Sequence, residues 1–412
     1  MSRALPMGRR DAPLPEHLDV AIIGGGIMGL STAYQLTKTK GLGKFGGSKA
    51  PKVAVIERSY LVSGASGRNG GGVRMQWADS GNVELMMESI DMCRGLAQEL
   101  GINLWFRQGG YLFLARTEDA ERRLVRNVEL HKHVGAPTRL LTASEARELA
   151  PVLNVDGIRL ATHNPEDGVV FPWPFVWGYA AQAIKHGVTV RTHTGVDVIE
   201  PNGQGFVLTL STGETLTADT VVNATGAWSP WINRLVDVSL PNRPHRHEIL
   251  SSEPLKPFLD PLVVDLASGL YFSQSTRGEL VTGMTVSEPE GPLDEHGLPP
   301  VQMTSSRRFL EHIGEALVQI MPVSAGMKIL RQWAGPYDVS PDGDAIAGPS
   351  PGLPRFIQAC GFTGHGFMMA PAVGRILARF IADGARHPML KRWDPSRFQR
   401  GEVRSTEDMI IG

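Results

Sequence analysis

The sequence predicts an α/β chain, α+β overall, in which a helix-wrapped parallel sheet is interleaved with a second domain rich in β-sheet. Three observations carry this expectation. A βαβ pattern opens the chain, with a glycine turn between "LDVAII" and a helix-forming run. Two further glycine turns follow apolar strands, near residues 224–226 and 361–366. Between about residues 241 and 335 strand-like runs dominate, with one helical stretch near residues 304–320.

The first 17 residues, "MSRALPMGRRDAPLPEH", lack the apolar run of a signal peptide and are expected to form a disordered tail. "LDVAII" is short, apolar and branched, the mark of a buried strand, and "LSTAYQLTK" continues it as a helix. "VAVIE" at 53–57 is the second buried strand, reached through a polar loop rich in lysine and glycine. Residues 82–134 read as helices around the strand "YLFLAR", and residues 168–187 as a turn followed by an amphipathic helix. "VTV", "VDVIE", "FVLTL" and "TADTVVNATG" make a β-rich return. "HEILSS", "LVVDLA", "GLYFSQS" and "ELVTGM" are the strands of the second domain. "RFIQAC" is a strand leading to a last helix from about Phe367 to Ala382. Residues 18–100, 150–235 and 335–390 are therefore assigned to a discontinuous nucleotide-binding domain, and 101–149 with 236–334 to a substrate domain.

The bulk numbers fit two cores: 412 residues, 42% of them apolar. A net charge of -1 gives no support for a nucleic-acid partner. Two cysteines, Cys93 and Cys360, cannot build a four-cysteine cluster or a disulfide framework, which suits a reducing cytoplasm. No apolar run is long enough to span a bilayer, so membrane association would come through partners. His245 and His247 share a strand face without acid or cysteine ligands nearby, and no metal site is expected. His131 and His133, on a polar helix, are expected to be solvated.

Chemistry concentrates at the glycine turns. Gly24-x-Gly26-x-x-Gly29 follows a strand and opens a helix, the Rossmann-like arrangement for tight turn, close approach to a pyrophosphate and helix–strand packing. Ile27 and Met28 open the helix whose free N–H groups would face the phosphates. Glu57 ends the second strand, where a carboxylate can accept the hydroxyls of an adenosine ribose, and Arg58 follows it. "GLGKFG" at 41–46 has the same spacing but follows no strand and is read as loop. Three glycine turns at strand ends can converge on one long ligand, which favours FAD over a nicotinamide dinucleotide.

The chain resembles the FAD-dependent amine and amino-acid oxidoreductases that include D-amino acid oxidase, glycine oxidase and sarcosine oxidase. The likeness runs from about Asp19 to Ala382 and rests on "DVAIIGGGIMGLSTAYQL", "VAVIER", "SGASGRNGGGVR", "VVNATGAWS", "YFSQSTRGELVTG", "WAGPYDVSPDGDAIAG" and "GFTGHGFMMAPAVG". Within the family it is most similar to β subunits of heteromeric sarcosine oxidase and of dye-linked proline, hydroxyproline or opine dehydrogenases. The resemblance implies that Ser66, Gly67, Arg68, Asn69, Gly70 and Gly71 wrap the pyrophosphate and pass beneath the isoalloxazine, with Arg74 near its reactive edge. It adds Val196, Ala224, Gly226 and Trp228 to the FAD contacts, and Gly361, Gly364, His365, Gly366, Phe367 and Met368 around the last helix.

Departures from the family matter too. Single-chain sarcosine oxidases carry a lysine after "GHGF", where this chain has Met368, and a lysine in the strand matching "ELVTGM", where it has none. The latter assists reaction of reduced flavin with oxygen. Heterotetrameric sarcosine oxidases attach FMN to a histidine shortly before "WGY", whereas "VVFPWPFVWGY" has no histidine. Covalent FMN is therefore not expected, while noncovalent FMN at a subunit interface is compatible. The implied reaction is hydride transfer from the carbon bearing a secondary or primary amine to flavin N5, followed by hydrolysis of the imine. The cofactor does the difficult step, and the protein supplies position and electrostatics. The helix after Gly366 would stabilise charge on reduced flavin, with His365 as a further donor. Arg74, then Arg331, are the candidates to grip a substrate carboxylate, and Tyr271 to hydrogen-bond substrate. Partner subunits would carry iron–sulfur or other electron-transfer centres. The alternatives are a self-sufficient FAD amino-acid oxidase or D-amino-acid dehydrogenase, and a flavin-holding assembly subunit without chemistry of its own.

Overall fold

A computed structural model of the chain describes residues 7–45, 50–203, 205–286, 291–403 and 409. Two large sheets organise it. The first runs in the order Ile346–Ser350, Leu353–Cys360, Thr215–Asn223, His17–Ile23, Val53–Ile56, Thr189–Arg191, with Phe206–Leu210 and Val196–Pro201 added beyond Thr215–Asn223. His17–Ile23 pairs in parallel with both Val53–Ile56 and Thr215–Asn223, so the expected βαβ opening is present. These central strands are almost wholly apolar because both faces are covered. The helices Ile27–Thr37, Pro172–Lys185 and Gly366–Asp383 pack over one face.

The second sheet runs Ile329–Val339, Arg243–Pro254, Glu279–Met284, Tyr271–Gln274, Leu262–Asp265, Tyr111–Ala115, Leu160–Asn164, Arg139–Leu141. It is antiparallel except where Leu262–Asp265 meets Tyr111–Ala115. The amphipathic helix Arg307–Ile320 buries Phe309, Ile313 and Leu317 in the core cluster that holds Val263, Phe272 and Leu280 of this sheet. A short pair, Gly72–Val73 with Gly168–Val169, fastens the glycine-rich segment to the chain leading into the Pro172–Lys185 helix.

Several expectations are corrected. Residues 7–17 are not a free tail: Arg9 exchanges backbone hydrogen bonds with Val190 and Thr192, and Ala12 is buried and accepts from Arg191. This strap covers the outer edge of Thr189–Arg191, which would otherwise be an open strand edge. Leu160–Asn164, grouped above with the nucleotide-binding segments, hydrogen-bonds into the second sheet, and Ile329–Val339 carries that sheet past residue 335. His131 is buried rather than solvated, its Nε2 lying 2.7 Å from the Trp77 carbonyl. The "GLGKFG" stretch follows a helix and no strand, in line with its reading as loop: Gly43–Phe45 form a 3-10 turn, and the residues from 46 to 49 lie outside the described set.

Candidate functional site

A deep cavity lies between the two sheets, enclosing an empty volume of about 1220 Å3 with its open mouth. Its floor comes from the glycine turns and its far wall from the second sheet. Gly26, Ile27 and Met28 line it from the first turn, Ser66, Arg68, Asn69, Gly70 and Gly71 from the glycine-rich segment, and Ala224 and Gly226 from the second turn. Gly364, His365, Gly366, Phe367 and Met368 close it from the third.

The local backbone explains why glycine is needed. Gly24 has φ +111°, and a Cβ there would sit 2.5 Å from the Ala224 carbonyl oxygen, so a side chain would wedge two of the turns apart. A Cβ on Gly29 would lie 2.1 Å from the Gly24 oxygen. The N-cap residues Gly26 and His365 make no side-chain capping bond; Ser66 Oγ accepts from Ile27 N–H at 3.0 Å, and the positive ends of both helix dipoles face this region. Such a cradle, narrow at the backbone and rich in N–H donors, fits a dinucleotide pyrophosphate. Glu57 accepts from Gly25 N–H and Ser59 N–H, each at 2.8 Å. Burial raises its pKa against the pull of those two bonds.

Other sequence-predicted residues do not line the cavity. Arg58 stacks over Trp228 with its guanidinium carbon 4.4 Å from the ring, beside Gly64. The Gly67 carbonyl accepts from Trp173 Nε1 at 3.0 Å. Gly361, at φ +66°, donates its N–H to Asp338. Val196 is packed in the apolar cluster on the other face of the first sheet. Arg331 stands exposed on Ile329–Val339, the edge strand of the second sheet, and is not part of the cavity wall. Arg74 is thus the candidate carboxylate grip that reaches the site.

Arg74 is 1% exposed, held over the Trp77 ring at 4.2 Å. It donates to the carbonyls of Gln76 and Met409 and to His365 Nε2. The segment after it is fixed by Asp167, which accepts from Met75 N–H at 2.6 Å and Gln76 Nε2 at 3.0 Å. Burial pushes Asp167 up to about 7, with those hydrogen bonds and Arg74 pulling it down. Burial and then the Arg74 charge hold His365 well below the usual imidazole range, so it is neutral. Arg68 is tied by Nε to the Ser63 carbonyl at 3.1 Å.

Tyr111, His247 and Tyr337 also face the cavity, and sequence reasoning missed all three. Each tyrosine ring of this wall is matched by a glycine from another segment: a Cβ on Gly72 would lie 1.7 Å from the Tyr111 hydroxyl, one on Gly283 would lie 2.4 Å from the Tyr271 hydroxyl, and one on Gly364 would lie 2.4 Å from the Tyr337 ring. No local pattern signals these pairings, because they join distant segments. Ile249, Leu262 and Val264 complete an apolar surface around them.

The family described as FAD dependent oxidoreductase matches residues 19–380. The sarcosine oxidase subunit beta of Rhizobium meliloti (strain 1021) is 31% identical over 404 residues, covering 96% of this chain and 92% of that protein. Among solved structures, L-proline dehydrogenase from P. horikoshii superimposes with a TM-score of 0.86 at 32% identity, covering 95% of this chain and 100% of that one. Glycine oxidase from Geobacillus kaustophilus shares the fold, with a TM-score of 0.82 at 24% identity and coverage of 93% and 99%.

Proposed function

Because the chain belongs to the FAD-dependent oxidoreductase family, we propose that it oxidises the CH–NH bond of a small secondary or primary amino acid of the sarcosine, proline, hydroxyproline or opine type. The observation that carries this reading is the meeting, in one cavity, of the glycine cradle with Arg74 and a wall of three tyrosines and a histidine. Bound FAD supplies the two-electron oxidising capacity. The protein's part is to bind and orient. Arg74 gives a carboxylate a buried positive partner, Tyr271 gives it a hydrogen-bond donor, and the apolar residues of the second sheet exclude water from the reacting carbon. The Gly366 helix directs its N-terminal dipole at the same region, where it would favour negative charge. His365 is the N-cap of that helix, with Nε2 accepting from Arg74 and its other ring nitrogen, as Nδ1–H, bonded to the Thr363 backbone, which orients the ring.

The same reading makes the chain the catalytic β-type subunit of a heteromer that passes electrons to partner-borne centres. Three facts support it: the 31% identity to a protein named as a subunit, the lack of any lysine in Glu279–Met284, and only two cysteines. A noncovalent FMN at a subunit contact is compatible with it. Cys93 and Cys360 are buried and unpaired, which suits the cytoplasm, and no helix among the described residues is long and apolar enough to cross a membrane. An anaerobic screen of flavin bleaching with sarcosine, proline, hydroxyproline and opines tests the reaction. Bleaching by at least one supports it, and a full panel without bleaching overturns it. Native mass and FAD and FMN counted per chain test the heteromer.

A further inference from the structure

Three rings of the cavity wall, Tyr271, His247 and Tyr337, form a column that crosses the second sheet. His247 is 2% exposed and lies nearly parallel to Tyr337 on one side, with centroids 4.6 Å apart and planes at 17°. On its other side it faces Tyr271, with centroids 5.7 Å apart and planes at 14°. Tyr271 and His247 are not on neighbouring strands: Glu279–Met284 runs between them. Gly283 of that strand is the register partner of Tyr271, and its missing side chain lets the phenol lie across the strand. The Tyr271 hydroxyl thereby reaches His247 Nε2 at 2.9 Å.

The hydrogen-bond inventory sets the direction of this contact. His247 Nδ1 is buried and has no hydrogen-bond partner among the described residues. An orphaned buried N–H is rarer than an orphaned acceptor, so the bare nitrogen is best assigned as the lone pair and Nε2 as the N–H. Burial, with His245 nearby, pushes the imidazole down to about 3, so it carries one proton across the neutral range. His247 Nε2–H then donates to Tyr271 Oη, and the phenolic hydrogen is left to point into the cavity that both residues line.

We propose that His247 is a positioning residue for substrate, fixing Tyr271 Oη as a hydrogen-bond donor to the carboxylate of the bound amino acid, with Gly283 as the clearance that makes the contact reachable. This rests on the amino-acid reading above. Tyr271 is held protonated by burial, well above its ordinary range, so it donates rather than repels. Stacking between two tyrosines keeps the imidazole from rotating and moving the donor.

The test uses the FAD-loaded protein and, where it exists, its complex. His247→Phe keeps a flat ring in the column and removes the N–H, while His247→Gln replaces Nε2–H with an amide N–H at similar reach. Binding is read from the flavin absorbance change on titration with 2-furoate, a carboxylate with no amine to oxidise, and turnover from KM and kcat for the amino acid that bleaches the wild type. His247→Phe is expected to weaken furoate binding and raise KM by about tenfold with kcat within about threefold, as for loss of one hydrogen bond to a charged group. His247→Gln should restore most of both, and Tyr271→Phe should add little in the His247→Phe background. Gly283→Ala is expected to mimic His247→Phe. Unchanged furoate affinity in His247→Phe, rescue by His247→Asn instead of Gln, or independent multiplication of the His247 and Tyr271 effects would overturn the proposal. Wild-type protein that no amino acid bleaches would instead defeat the amino-acid reading itself.

Discussion

Arg74 Nη2 lies 3.2 Å from His365 Nε2, joining positions 291 residues apart across the cavity. A guanidinium only donates, so the imidazole must accept, and a neutral histidine meets that need. His365 is the N-cap of the Gly366–Asp383 helix, so the buried arginine charge is tied to the start of that helix. Positive charge and helix dipole thus face the same space.

Replacing Arg74 with alanine should therefore weaken carboxylate binding far more than it weakens FAD binding. A hydrogen-bonded partner of a charged group contributes about 1.5–3 kcal/mol, so KM for a carboxylated amine is expected to rise roughly 10–100-fold with the yellow absorbance kept. Unchanged KM would remove Arg74 from the grip, and steady-state kinetics on flavin-matched samples decides it.

The glycine cradle makes a separate prediction. Gly24→Ala would place a methyl group 2.5 Å from the Ala224 oxygen at a backbone angle that alanine resists. Flavin content per purified chain, read by absorbance after release, should fall severely. Gly95→Ala, on an exposed helix position with open space around it, should leave flavin content unchanged.

Stability depends on a buried pair near the chain's end. Arg397 grips Asp342 bidentately, at 2.8 and 2.9 Å, with both side chains almost fully buried. Arg397→Leu would strand the carboxylate, and removing one partner of such a pair costs about 3–5 kcal/mol. Denaturant melts should show that loss, whereas a change under ~1 kcal/mol would mean that water reaches Asp342.

A pH dependence follows from Asp338, which burial lifts to about 7 while bonds from Gly361, Asn242 and Ser229 pull it down. The unfolded carboxyl titrates near ~3.9, so the folded pKa is the higher one. Its stabilising contribution is complete below about 4 and is lost as pH rises through the folded value. Asp167 acts in the same direction. The thermal midpoint is expected to fall between pH 5 and pH 8 more steeply for the wild type than for Asp338→Asn; parallel curves would contradict it.

What the sequence made legible was local. Strand, glycine turn and helix at Gly24–Gly29, the turns at Ala224–Gly226 and Gly361–Gly366, and the helix near 304–320 are encoded within short windows, and the fold places them as expected. Arg74 came from the family resemblance of the glycine-rich segment that it follows, and the structure places it at the cavity. Arg331 was misread because a strand residue's direction depends on register, and here the register leaves it at an exposed sheet edge. His247, Tyr111 and Tyr337 were invisible as site residues for a related reason. Their meaning comes from Gly283, Gly72 and Gly364 on distant segments, and no single-sequence spacing reports a ring fitting over a remote glycine.

The central claim is that one chain's glycine turns hold FAD against a wall built to bind an amino acid. The most direct measurement is the visible spectrum of native holoprotein, recorded without oxygen before and after addition of sarcosine, proline, hydroxyproline or an opine. A yellow protein bleached by at least one of these is the predicted result; a colourless protein, or a yellow one that none of them bleaches, would contradict it.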